Sequence, residues 1–190
     1  VDQNGDGQIN ADDRVKIGNP YPDFTYGLNL NANYKQLDLN LFISGVSGVD
    51  VYNTNIYDLE GMPRLFNAGT NVLNRWTGPG TSNSVPAAGG NDQNFNSISD
   101  RFVEDGSYAR LKNITLGYTL DNPALEEYFS KCRIYISGQN LITISDYSGL
   151  DPEIGNPLTN NGGNSQYELG IDRGNYPQPK SVLLGVQLSF

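Results

Sequence analysis

SVLLGVQLSF, Ser181–Phe190, sets the terms on which every other stretch of the chain is understood. Val182, Leu184, Val186, Leu188 and Phe190 take alternate positions, and Ser181, Gly185, Gln187 and Ser189 fill most of the others. That is the period of a strand with two unlike faces. In a soluble sheet the apolar face meets a core. In a membrane-spanning barrel it meets lipid, and the polar face lines a lumen. Alternation alone allows both, so the remaining strands have to decide.

Phe24–Tyr34, FTYGLNLNANY, repeats the pattern more sharply. Its even positions are Phe, Tyr, Leu, Leu, Ala and Tyr; its odd ones are Thr, Gly and then Asn29, Asn31 and Asn33. Aromatics stand at both tips of one face, and the length suits a membrane-crossing strand. Lys35 and Gln36 form a tight turn, after which Leu37, Leu39, Leu41 and Ile43 continue the apolar face opposite Asp38, Asn40 and Ser44. A third strand is predicted over Ser107–Leu120, with a phase slip that places a bulge near Lys112 or Asn113. A fourth runs from Arg133 to Thr143, its alternation broken at Asn140, and Ser181–Phe190 is the last.

Composition narrows the function. The 190 residues carry a formal net charge of -9, with no His and a single Cys. The sequence pI is near 4.3 and the mean hydropathy is -0.48. No basic run invites nucleic acid. Cys132 has no disulfide partner and reads as a small apolar strand residue, and the commonest general base and metal ligand is missing altogether. The pair Glu126 and Glu127 reads as a solvated helix face rather than an acid–base pair. No apolar run is long enough for a transmembrane helix, which leaves a barrel open. Val1 leads directly into a motif, so the chain reads as a piece of something longer.

That motif is Asp2–Asp13, DQNGDGQINADD. Asp2, Asn4 and Asp6 occupy positions 1, 3 and 5 of a calcium loop of the EF-hand kind, with Gly7 at the turn, the Gln8 carbonyl at 7, Ile9 at 8 and Asp13 at 12. A hard cation wants six to eight oxygens, and only a tightly curled chain brings them together. Asp13 stands where a bidentate Glu is usual, and its shorter side chain lets Mg²⁺ compete. The other reading is an Asn/Asp/Gly turn without metal.

Two long polar stretches, 46–105 and 145–180, alternate with the short connections at Lys35–Gln36 and Asp121–Lys131. Outer-membrane barrels pair short periplasmic turns with long extracellular loops. On that scheme Tyr34, Tyr118 and Phe190 fall at one interface, Phe24 and Tyr26 at the other, and the C-terminus is periplasmic. Tyr52, Tyr57, Phe66 and Trp76 in the first long loop are candidates to stack on a sugar ring or a peptide side chain; the plainer reading is that they pack the loop on itself.

Taken in order, DQNGDGQINADDR, IGNPYPDFTYGLNLNANYKQLDLNLF, RWTGPGT, SDRFVEDGSYARLKNITLGYTL, RIYISGQNLITISDYSGLDPE and YPQPKSVLLGVQLSF resemble the C-terminal part of SusC/RagA-type TonB-linked outer-membrane transporters. The resemblance implies an all-β chain contributing about five antiparallel strands to a 22-stranded transmembrane barrel. It also implies a plug and TonB box in the missing N-terminal part, a SusD-like surface lipoprotein as partner, and import of oligosaccharides or oligopeptides without covalent chemistry. Phe190 matches the terminal aromatic of outer-membrane barrels, and Asp2–Asp13 matches a family calcium loop. Residues 1–22 are then an extracellular calcium loop, 46–105 and 145–180 extracellular loops, and 181–190 the closing strand, with Asn29, Asn31, Asn33 and Asn40 on the lumen wall. The rival expectation is a secreted, calcium-stabilised β-sandwich that binds carbohydrate or mediates adhesion, in which the alternating apolar residues interleave in a core.

Overall fold

The computed structural model describes residues 2–63, 65, 67–89, 95, 97–121, 128–154 and 169–190. Its strands are β1 (Phe24–Tyr34), β2 (Leu37–Ser47), β3 (Asp50–Asn53), β4 (Val103–Asp105), β5 (Tyr108–Leu120), β6 (Lys131–Ser145), β7 (Ile171–Asp172) and β8 (Ser181–Ser189), and a short α-helix, α1, spans Asn55–Gly61. The chain divides into two compact units, one of Pro22–Val49, Asp105–Glu153 and Asn175–Phe190, the other of Val1–Tyr21, Asp50–Glu104 and Ile154–Gly174.

The first unit is an antiparallel sheet in the order β1-β2-β5-β6-β8. The five predicted strands are all present, and β2 and β6 run a few residues further than the alternation indicated. Lys35, at φ +54°, turns β1 directly into β2. Cross-strand partners share a face, so register shows where each side chain lies. One row reads Tyr34, Leu37, Tyr118, Ile134, Val186, and the middle row reads Leu30, Leu41, Ile114, Gly138, Val182. Both rows belong to a single face that carries no charged residue. Its side chains stay open: Leu28 is 57% exposed, Leu30 47%, Leu184 78% and Leu188 43%. They do not interleave in a core, which removes the sandwich arrangement. Fully burying a side chain of this size is worth roughly 1.5–3 kcal/mol, so a face this wide is stable only when something apolar covers it.

The irregularity read near Lys112 is there. Phe42 faces Asn113 while Ile43 faces Leu111, which leaves Lys112 as the extra residue on β5. Across β5–β6, Leu111 pairs with Ile142 and Asn113 with Gln139, so Asn140 and Leu141 bulge in turn, Asn140 at φ +51°. The two bulges keep Leu111 and Ile142 on the apolar face.

The opposite face is polar and closely bonded. Arg133 crosses β5 to Asp38, with Nε donating to Oδ1 at 2.8 Å and Nη2 to Oδ2 at 2.5 Å. Gly117 lies beneath that crossing, where a Cβ would collide with the guanidinium. Arg110, 2% exposed, donates to Asp151 at 2.5 Å, to Glu153 at 2.7 Å and to the Thr143 hydroxyl at 2.9 Å. Lys112 Nζ donates to both Glu153 oxygens, at 2.7 and 2.6 Å. Asp151 also accepts the Gln178 N–H at 2.9 Å, which ties two segments 27 residues apart. Burial pushes the Asp151 carboxyl up, but the Gln178 N–H and the Arg110 guanidinium outweigh it and hold the group below its ordinary value.

The second unit replaces the expected plain loop with short elements. β3 lies between β4 and β7, pairing with β7 in parallel through Tyr52–Ile171 and Asn53–Asp172. Val51, Phe95 and Phe102 are buried. The helical piece anticipated near Ile56–Glu60 is α1. Glu126, Glu127 and Phe66, read from sequence, lie outside the described residues.

Two outcomes test this division of faces. Leu30→Arg, in the middle of the apolar face, should cost about 2–4 kcal/mol in bilayer refolding of the full-length receptor, and the neighbouring Asn31→Arg, on the polar face, clearly less; equal costs would overturn the assignment of faces. Arg110→Ala strands the buried Asp151 carboxylate and should cost about 3–5 kcal/mol in urea unfolding of the same receptor. Arg110→Lys should recover little of it, because an ammonium cannot fork to Asp151 and Glu153 together.

Candidate functional site

The first loop is curled by its own side chains. Asp2 accepts the N–H of Gly5 on Oδ1 at 2.7 Å and that of Gly7 on Oδ2 at 2.8 Å. Asn4 Oδ1 takes the Asp6 N–H at 2.9 Å, and Asp6 Oδ1 takes the Gln8 N–H at 2.8 Å. Gly5 and Gly7, at φ +76° and +81°, allow the curl that side chains at those positions resist. Asp13 closes the loop as a clasp: Oδ1 accepts from Gln3 at 2.7 Å and Oδ2 from Asn10 at 2.7 Å, a capping box on the turn Ala11–Asp13. The Gly7 and Gly5 N–H groups hold the Asp2 carboxyl below its ordinary value, and those of Asn10 and Gln3 do the same for Asp13.

By donor chemistry this set suits a hard divalent cation: Asp2, Asn4 and Asp6 at alternating positions on a curled backbone, the Gln8 carbonyl beside them and Asp13 at the end of the loop. The carboxylates nevertheless spend their oxygens on the loop's own N–H groups. Among the described residues no three acidic, Cys or His side chains converge as a ready-made metal cluster. The structure places all five expected ligands, Asp2, Asn4, Asp6, Gln8 and Asp13, in one loop, with Asp13 in a bracing position that spacing alone did not indicate.

The four Asn side chains expected on one wall do share a face. Asn40 Nδ2 donates to Asn31 Oδ1 at 2.5 Å, and Asn31 Nδ2 to Asn29 Oδ1 at 3.4 Å. Asn33 faces Asp38 across β1–β2. Further along the same face the Thr115 and Ser137 hydroxyls lie 2.8 Å apart. This surface has donors and acceptors in quantity, and its Arg110, Lys112 and Arg133 charges are paired with Asp151, Glu153 and Asp38. Arg110, Lys112, Asp151, Glu153 and the Asp38–Arg133 pair are the residues that sequence reasoning missed. Their partners stand tens of residues apart, and no local spacing signals them; the alternation of Arg110 and Lys112 opposite apolar neighbours was the only hint.

The aromatic candidates separate. Tyr52 packs on Phe102 with ring centroids 5.6 Å apart, and Tyr57 stacks on Phe95 at 6.3 Å. Phe95 meets Phe102 edge-on at 5.4 Å, which completes a small aromatic core. Tyr52 and Tyr57 therefore pack the loop on itself, although one side of each opens on a cleft shared with Asn55, Asp58 and Arg173. Trp76 is different. It is 44% exposed, and it lines a cavity of about 450 Å³.

No family model matches the chain. Its whole length aligns with TonB-dependent receptor P3 of Formosa agariphila at 36% identity over 191 residues, covering 18% of that protein. It aligns likewise with TonB-dependent receptor SusC of Bacteroides thetaiotaomicron at 31% identity, covering 17% of it. Among solved structures, 96% of the chain superposes on 19% of a chain of the RagAB peptide transporter, with a TM-score of 0.77 and 30% identity. The open-open state of the RagAB peptide importer gives a TM-score of 0.76 over the same shares. The chain thus spans about a fifth of the length of the relatives it matches. Those relatives are receptors and transporters by name. Matched along its whole length to such receptors, and by its sheet to a RagA barrel region, the chain belongs to the SusC/RagA-type TonB-linked outer-membrane transporters.

Proposed function

We propose that this chain is a stretch of barrel wall and extracellular loop in a TonB-dependent importer of oligosaccharides or oligopeptides. The observation that carries the reading is the sheet with one uncharged, exposed apolar face and one hydrogen-bonded polar face, both continuous over five strands. The apolar face meets outer-membrane lipid and the polar face the lumen. The two edges, β1 and β8, pair with strands of the rest of the same barrel, because an unpaired backbone edge has no solvent partner in hydrocarbon. The end of the sheet that holds Tyr34, Tyr118 and Phe190 lies at the periplasmic interface, and the long loops lie outside.

The structural neighbours in the RagAB peptide transporter support a surface-lipoprotein partner of the SusD kind that closes over those loops. Energy comes from the TonB complex through parts of the receptor beyond this chain, and nucleic acid has no place in the scheme. Cells carrying the full-length receptor should take up a labelled oligosaccharide or oligopeptide, and the uptake should vanish on deletion of TonB. Uptake that survives the deletion would reduce the protein to a passive pore and end the reading.

In the same scheme a calcium ion stiffens the first loop through Asp2, Asn4, Asp6, the Gln8 carbonyl and Asp13, and does not touch substrate. Asp2 and Asp13 titrate below the ordinary carboxylate value of 3.8, so they stay charged above it, and loop order is lost only as pH falls through the depressed values. Chelation, or Asp2→Asn with Asp6→Asn, should speed amide exchange over residues 2–13 of the full-length receptor and leave the strands protected. Exchange indifferent to chelator would remove calcium from the account.

A further inference from the structure

We propose that the cavity beside Trp76 is a binding subsite for a neutral pyranose ring of an oligosaccharide; this rests on the import reading and narrows its substrate class. The cavity, about 450 Å³, is lined by Trp76, Asn83, Ser84, Pro86, Phe95 and Arg101 among others. That volume is in the range of small-molecule sites.

The backbone under the platform is braced. The Trp76 main-chain N–H donates to the Val85 carbonyl at 3.0 Å, and Val85 is buried. Beyond it the Thr81 hydroxyl oxygen accepts the N–H groups of Thr77 at 2.9 Å and Gly78 at 3.2 Å and donates to the Gly78 carbonyl at 2.7 Å. A half-open indole on a braced stretch of backbone gives contact area with few side-chain torsions to fix. The second wall, Ser82 to Ala87, supplies hydroxyls and an amide, with Asn83 and Ser84 exposed.

Charge decides between the two substrate classes. Among the described lining residues Arg101 is the one cation, and it already has partners: it donates to the Ser84 carbonyl, lies over the Phe95 ring at 4.7 Å and faces Glu60 at 3.7 Å. Among the described lining residues a peptide terminus thus meets no charge except this shared one. Nor does any lining residue belong to a strand, so an extended peptide finds no edge for main-chain pairing. A sugar ring needs neither: its C–H face lies on the indole, and its hydroxyls exchange hydrogen bonds with Asn83 and Ser84.

The test is direct binding of the full-length receptor in detergent to an array of neutral oligosaccharides and to a matched set of tri- to hexapeptides. The expected result is binding to at least one saccharide, weakened tenfold or more by Trp76→Ala and largely kept in Trp76→Phe. Asn83→Ala, at an exposed position, should weaken the same saccharide severalfold and covers the case in which Trp76→Ala misfolds. Saccharide binding indifferent to Trp76→Ala and Asn83→Ala, binding of peptides alone, or no saccharide bound at all would each overturn the proposal. TonB-dependent uptake by the same variants is read separately, so a receptor that imports without using this cavity sinks the subsite and leaves the importer standing.

Discussion

Everything in the sheet depends on antiparallel pairing held in register from β1 to β8. A strand has a side-chain period of two, and a slip of one residue in any pair would send its apolar set to the other face. The chain departs from that period twice, at Lys112 and at Asn140–Leu141, and the departures lie opposite one another across β5–β6. Were only one strand to bulge without adjustment in its neighbour, Leu111 and Ile142 would no longer meet. The compensation also has a product. Lys112 and Asn113 fall in succession at the bulge, which makes room for Lys112 to join Arg110 on Glu153.

The polar face follows from the same register. Arg133 and Asp38 are 95 residues apart and become neighbours only because β2 and β6 flank β5. The crossing is short enough for two bonds because Gly117 presents no side chain. Arg110 depends in the same way on the segment after β6 folding back with Asp151 and Glu153. Guanidinium groups so enclosed are tolerable only when each is forked onto a carboxylate, since a buried unpaired cation would cost far more than the pair returns. The guanidinium groups of this wall are thus each answered by a carboxylate, and the rest of its polarity is neutral amide and hydroxyl.

The parts legible in the sequence were those whose physics is local. The strands announce themselves by alternation, the Lys35–Gln36 turn by its length, the bulge by its broken phase, and the Asp2–Asp13 loop by oxygens at every second position. What stayed hidden depends on partners far along the chain. β3 and β4 are too short to show a period, and they exist as strands because β3 meets Ile171–Asp172 in parallel. The four loop aromatics looked alike in sequence. Packing separates Tyr52 and Tyr57, turned onto Phe95 and Phe102, from Trp76, left at a cavity mouth. The clasp role of Asp13 escaped notice because a position-12 carboxylate is expected to face the metal, whereas here it gathers backbone N–H groups from Gln3 and Asn10.

The distribution of buried apolar side chains explains why one sequence needs two kinds of surroundings. Among the described residues the buried hydrophobics are Val51, Val85, Phe95, Phe102 and Tyr147. The first four stabilise the second unit from within, as in any water-soluble fold, and Tyr147 lies just past the end of β6. No strand of the five-stranded sheet contributes one. Its backbone hydrogen bonds and ion pairs fix geometry, but each net contribution is modest against the entropy of ordering the chain. The missing stabilisation has to come from outside the protein, through transfer of the uncharged face into hydrocarbon. A sheet of this composition is therefore specified by its sequence and stabilised by its membrane, while the loop unit holds a small core of its own.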